Sequence, residues 1–129
     1  MTGGCLCGRV RWKTAAHPVS VHHCHCGMCR RWTGSAFATL VWFKRAAVFW
    51  MGEEPTFYRS SPIARRTHCP VCGTPIHLDY DGKDEIAFAA GSADHPETLK
   101  SRHHYGVEGR LEWADVAPEL PGDQTRESW

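Results

Sequence analysis

Seven cysteines stand in three short clusters: Cys5-Leu6-Cys7, Cys24-His25-Cys26-Gly27-Met28-Cys29 and Cys69-Pro70-Val71-Cys72. Thiols spaced this closely form a metal-ligand pattern. A closed tetrahedral site takes four soft ligands, which two cysteine pairs supply. Removing one such site from seven leaves three thiols, all in the middle cluster. Three protein ligands leave the fourth position of a tetrahedral zinc open, the coordination of a catalytic site. The count predicts two zinc sites, one closed and one open.

Two plainer readings compete with this one. Disulfides are the first, but an odd count strands a thiol and Cys-x-Cys spacing suits disulfide geometry poorly. The start, Met1-Thr2-Gly3-Gly4-Cys5, has no basic stretch followed by an apolar run. It does not read as a secretory signal, so a cytoplasmic, reducing setting is expected. The second reading makes both sites structural, with His22, His23 or His25 as the fourth ligand of the middle cluster.

A chain of 129 residues forms one domain with a modest core, which bound metal would strengthen. A formal net charge of +1 gives no general drive toward nucleic acid or an anionic membrane. The longest apolar run, within Ala36–Phe43, is too short to span a bilayer. Two local basic pairs, Arg30-Arg31 and Arg65-Arg66, could bind an anion or simply be solvated.

Most of the chain reads as strand and turn. Gly8–Lys13 alternates, with Val10 and Trp12 on one face, and Val19–His22 alternates again. Ala36–Phe43, Ala47–Met51, Thr56–Arg59 and Glu85–Ala89 read as further strands. Arg66-Thr67-His68 enters a Cys-x-x-Cys turn and Pro75–Tyr80 leaves it, as in a zinc-ribbon knuckle. Asp81-Gly82 marks a hairpin turn. Gly27 and Gly34 permit a tight metal loop, and a helical turn is expected near His95-Pro96-Glu97. The stretch from Pro118 to Trp129 is polar and predicts a loosely ordered tail.

Three segments carry a resemblance. Gly4-Cys5-Leu6-Cys7-Gly8-Arg9-Val10 resembles the opening of the glutathione-dependent formaldehyde-activating enzyme family, also called the GFA or CENP-V/GFA domain. Cys24-His25-Cys26-Gly27-Met28-Cys29-Arg30-Arg31-Trp32-Thr33-Gly34 is similar to its central segment, and Cys69-Pro70-Val71-Cys72-Gly73-Thr74-Pro75 to its knuckle. Gly91-Ser92-Ala93-Asp94, His104 and Trp113 are similar to weaker C-terminal signals; His68 stands where Phe is usual. The resemblance implies a mainly β, Mss4-like β-tent of antiparallel strands built around zinc sites. It implies a zinc domain over residues 1–120, with 121–129 as the tail. It implies structural zinc on Cys5, Cys7, Cys69 and Cys72, and catalytic zinc on Cys24, Cys26 and Cys29. It also implies an activity, the addition of glutathione to formaldehyde, of the carbon–sulfur lyase type.

The chemistry suits such a site. A free thiol is only a few per cent ionised at neutral pH, whereas zinc deprotonates a thiol it binds. Three thiolates and one zinc sum to −1, a centre that favours a sulfur ligand over hydrolysis. Arg30 or Arg31 would meet a carboxylate of a glutathione-like thiol, since guanidinium fits carboxylate in bidentate fashion. His22, His23 or His25 would relay a proton or serve as an outer hydrogen-bond partner. The expected partners are a thiol and an aldehyde, with no nucleic acid and no membrane. The rival function is a non-catalytic zinc module that binds a protein.

Overall fold

A computed structural model of the chain describes residues 1–114. The expected boundary at residue 120 and the tail over 121–129 lie outside the described residues. The alternating segments become two sheets. The small sheet holds β1 (Thr2–Gly4), β2 (Arg11–Thr14) and β5 (Val48–Trp50), in the order β1-β2-β5. The large sheet holds β3 (Ser20–Cys24), β4 (Ala38–Lys44), β6 (Thr56–Ser61), β7 (Ala64–His68), β8 (Pro75–Tyr80), β9 (Glu85–Ala89) and β10 (His104–Tyr105). Its spatial order is β10-β3-β4-β9-β8-β7-β6. No helix among the described residues is long and apolar enough to cross a membrane.

The large sheet is buried on both faces near its centre, which explains the nearly continuous apolar runs of β4 and β9. Val41 and Phe43 of β4 join Ile86 and Phe88 of β9 on one face. Trp12, from the small sheet, packs against them, 4.3 Å from Phe88 and 6.2 Å from Phe43 by ring centroids. Val10 joins this cluster, as the alternation of Gly8–Lys13 predicts, although the strand itself begins only at Arg11. Leu40 and Ala38 of β4, Ala87 of β9 and Leu78 of β8 pack together on the opposite face. Cys5 and Cys69 belong to the first cluster, Cys24 and Cys29 to the second. The two cysteine groups are thus built into different faces of one sheet.

The fold is mainly β, in agreement with the expected class, and the strands between residues 8 and 89 follow the predicted segments within a few residues. The Asp81-Gly82 turn joins β8 to β9, paired as Leu78 with Ala87. Two features differ from expectation. The loop expected after Cys26 is a short helix, α1 (Gly27–Thr33). Cys, Gly and Thr hide it from a propensity reading, but the Cys26 sulfur caps it by accepting the Cys29 N–H at 3.4 Å, and Gly34 ends it in the left-handed region. The pairing of β10 with β3 is parallel, in an otherwise antiparallel sheet. A two-residue strand carries no periodicity for a sequence reading to detect.

Candidate metal centres

The first group joins two distant turns. Cys5 and Cys7 lie in the bend between β1 and β2; Cys69 and Cys72 lie in the knuckle between β7 and β8. Their four sulfurs lie within 4.8 Å of one another. Sulfurs around a tetrahedral zinc, at bonds of about 2.3 Å, stand about 3.8 Å apart. Cys5 and Cys7 sulfurs are 3.5 Å apart, and Cys7 and Cys69 sulfurs 3.7 Å apart. Backbone donors surround them: Val10 N–H reaches Cys5 at 3.3 Å and Val71 N–H reaches Cys69 at 3.4 Å. Hydrogen bonding by the Thr74 side chain and backbone lowers the Cys72 thiol to about 5. These four residues could close around a metal, and none of the seven cysteines is in a disulfide.

The second group is local in sequence. Cys24 ends β3, Cys26 caps α1, and Cys29 lies in its first turn. Their sulfurs lie within 4.8 Å of one another, and no His, Asp or Glu among the described residues joins them. Cys24 and Cys29 are buried, at 3% and 1% exposure. Cys29 is lowered to about 5, first by the Cys24 hydrogen bond and then, against the cost of burial, by Arg66. Cys24 moves up, mainly because it is the donor in that pair. Three converging sulfurs form a donor set suited to a soft cation.

The histidines do not supply a fourth ligand. His22 is buried against Trp42 and His103, and burial lowers its pKa. His23 Nδ1 lies 2.9 Å from Thr39 Oγ1. His25 Nε2 lies 2.8 Å from Nδ1 of His104, on β10. These rings brace the loop from outside the sulfur group. Arg30 and Arg31 both reach the start of α1: a Cβ built on Gly27 would stand 3.9 Å from Arg30 Nη2 and 2.9 Å from Arg31 Nη1. Arg31 Nη1 donates to the Gly27 carbonyl at 3.3 Å.

Four residues contribute to this site in ways that the sequence reading does not assign. Arg66, half of a pair read as either an anion binder or solvated surface, is 4% exposed and donates from Nη2 to Cys29 Sγ at 3.4 Å. Strand alternation carries the signal, because two adjacent arginines in a strand point to opposite faces. Trp32, in α1, donates from Nε1 to the Thr67 carbonyl at 3.2 Å and ties the helix to β7. Gly106 and Gly109 lie directly on the cysteine loop. A Cβ at Gly106, where φ is +66°, would stand 3.1 Å from Cys26 N, and one at Gly109 would stand 2.6 Å from the His25 carbonyl oxygen. Of the C-terminal signals, His104 reaches this site, whereas Trp113 is exposed.

Comparison with known proteins agrees with this geometry. A crystal structure of a Rhodobacter sphaeroides protein superposes with a TM-score of 0.63 at 21% identity, covering 81% of this chain and 99% of that one. It shares the fold. An uncharacterized lyase of Schizosaccharomyces pombe is 32% identical over 83 residues, 64% of this chain. The chain spans about 60% of the length of that curated relative. The family profile described as glutathione-dependent formaldehyde-activating enzyme matches residues 1–108, a span that includes all three cysteine clusters and both sheets. The chain belongs to the glutathione-dependent formaldehyde-activating enzyme family.

Proposed function

We propose that this chain is a zinc-dependent carbon–sulfur lyase that joins a thiol such as glutathione to formaldehyde or a related aldehyde. The observation that carries this reading is the middle group: three converging cysteine sulfurs with no fourth protein ligand among the described residues. Family membership and a relative named a lyase support it. In this reading Cys24, Cys26 and Cys29 hold the catalytic zinc, and Cys5, Cys7, Cys69 and Cys72 hold the structural one. Bound zinc would supply an open position at which a thiol is ionised.

The protein's own residues then do three things. Cys29, buried with Cys24, Leu40 and Ala87, seats the sulfur group against the sheet. Arg30 and Arg31, whose side chains reach back to the start of α1, meet a carboxylate of the tripeptide. His25 and His104, paired at 2.8 Å, hold the loop and offer a route for a proton beside it. In the reaction, the thiol sulfur bonds to the aldehyde carbon and the carbonyl electron pair moves to oxygen. The thiol proton ends on that oxygen, so the addition balances with no oxidant or reductant. The functional unit is taken as residues 1–120, with 121–129 a tail. A reducing, cytoplasmic setting suits seven free thiols.

The test is zinc stoichiometry on protein purified without chelator. It is repeated on the Cys24→Ser/Cys26→Ser/Cys29→Ser variant, with glutathione titrated into both. Two zincs falling to one in a folded variant, with thiol binding lost, is the expected result. One zinc in both, with no thiol response, would sink the proposal and favour a purely structural zinc module.

A further inference from the structure

Arg66 is a buried cation in need of an anion. Its Nη1 donates to Ser60 Oγ and lies 3.8 Å from Met28 Sδ; its Nη2 donates to Cys29 Sγ at 3.4 Å. Its Nε is shielded from water and makes no hydrogen bond. Among the described residues no carboxylate pairs with it; Asp79, paired with Arg45 and Arg65, lies on the other face of the sheet. Burying a guanidinium without a counter-charge is strongly unfavourable. Of its hydrogen-bond partners, Ser60 is a neutral hydroxyl and Met28 a thioether, so the cysteine sulfur is the one that can carry a negative charge; burial raises the pKa of the nearby Tyr80 phenol and keeps it neutral.

The charge sum gives this placement a purpose. Three thiolates and a divalent metal total −1, and an incoming thiolate makes −2. Accumulating charge in a buried site opposes the fourth ligand. Arg66 offsets one unit, leaving the resting centre neutral and the thiol-bound centre at −1. The geometry points to Arg66 as the positioning residue that makes the open site selective for an anionic sulfur ligand over a neutral one. This inference rests on the thiol-binding reading above. It differs from the role of Arg30 and Arg31, which concerns the distant carboxylate of one thiol. Arg66 acts on any thiol, because it acts through the metal's own ligand.

Cobalt(II) replaces zinc in the full chain and reports each site by its sulfur-to-metal charge-transfer absorption. The probes are 2-mercaptoethanol, which has no carboxylate and binds as an anion, and imidazole, which binds neutral. Each is titrated into the wild type, Arg66→Gln and Arg66→Lys. The expected result is at least a tenfold loss of 2-mercaptoethanol affinity in Arg66→Gln, with imidazole affinity within twofold of wild type. Arg66→Lys keeps the charge without the fork and is expected to keep the preference for the thiol. The Cys5/Cys7/Cys69/Cys72 cobalt signal monitors folding in the same sample. Equal thiol affinity in wild type and Arg66→Gln would overturn the inference, as would a parallel loss of both probes. Loss of the preference in Arg66→Lys would overturn it too, leaving Arg66 a packing role. A wild type that binds imidazole but no thiol would instead sink the function proposed above.

Discussion

Arg65 and Arg66 are adjacent in β7 and serve opposite faces of the same sheet. Arg65 donates to Asp79 at 2.7 Å on the side facing the small sheet, while Arg66 donates to Cys29 at 3.4 Å on the other. The large sheet is therefore a partition with one cysteine group against each face. The groups are expected to differ in what their loss does.

The four-cysteine group joins segments 62 residues apart, as the Cys7–Cys69 contact shows. A metal there closes the bend after β1 onto the knuckle before β8, and its binding energy becomes folding energy. Cys69→Ser should lower thermal stability sharply and bring the loss of β-sheet circular dichroism below physiological temperature. The local triple variant at Cys24, Cys26 and Cys29 should melt much closer to wild type. Equal melting of the two variants would contradict this division.

Gly106 is a structural wedge against the cysteine loop. Alanine there meets both a positive φ and a Cβ 3.1 Å from Cys26 N. Gly106→Ala should cost about 1–2 kcal/mol. It should also speed metal loss from the three-cysteine group to a chelator, leaving release from the four-cysteine group unchanged. Metal release at equal rates in variant and wild type would show that the 104–109 segment does not hold this loop.

Trp12 joins the two sheets through Phe88 and Phe43. It is fully buried, and its Nε1 finds no acceptor. Trp12→Ala should cost about 3–5 kcal/mol in urea unfolding. Trp12→Phe should cost well under half of that, because it removes an unsatisfied donor along with some volume. A Phe variant as unstable as the Ala variant would show that ring size, not the orphaned N–H, dominates.

His77 gives the fold a pH dependence of known sign. Burial, outweighing the favourable Asp79 carboxylate and aided by Arg45 and Arg65, lowers it to about 4 from 6.5. Its neutral ring is fixed by Thr67, whose Oγ1 lies 2.8 Å from Nδ1. A pKa depressed in the folded state means that the unfolded chain takes up the proton first. This contribution is fully present above 6.5 and is lost as pH falls toward 4. By pH 5 the loss should amount to about 2 kcal/mol. Urea midpoints at pH 7.5 and 5 should fall further for wild type than for His77→Gln; parallel falls would remove His77 as the cause.

Arg30 and Arg31 should matter only to thiols that carry a carboxylate. Arg30→Ala/Arg31→Ala should weaken glutathione binding by several-fold to about tenfold, as expected for partly exposed charge pairs. Binding of 2-mercaptoethanol should not change. Calorimetry with both thiols checks this, and unchanged glutathione affinity would remove the carboxylate contact.

Legibility followed sequence distance. Strands such as Glu85–Ala89 were readable because alternation and turn residues act over a few positions. The three cysteine clusters were readable because ligand spacing within each is two or three residues. Helix α1 is not legible in the sequence because its cap is a sulfur, an unusual acceptor that no propensity reading contains. The parallel β10 was missed because its two residues pair with a strand 81 residues earlier.

By itself, then, the sequence determined the mainly β class and the cysteine clusters that could hold a metal. Those depend on local chemistry: thiol softness, strand period and turn preference. Tertiary structure alone decided that the two groups back onto opposite faces of one sheet. It alone turned Arg66 inward to Cys29, and it alone laid Gly106 over Cys26. These outcomes depend on which strands pair, and pairing is set by burying both faces of the sheet at once rather than by any short stretch of residues.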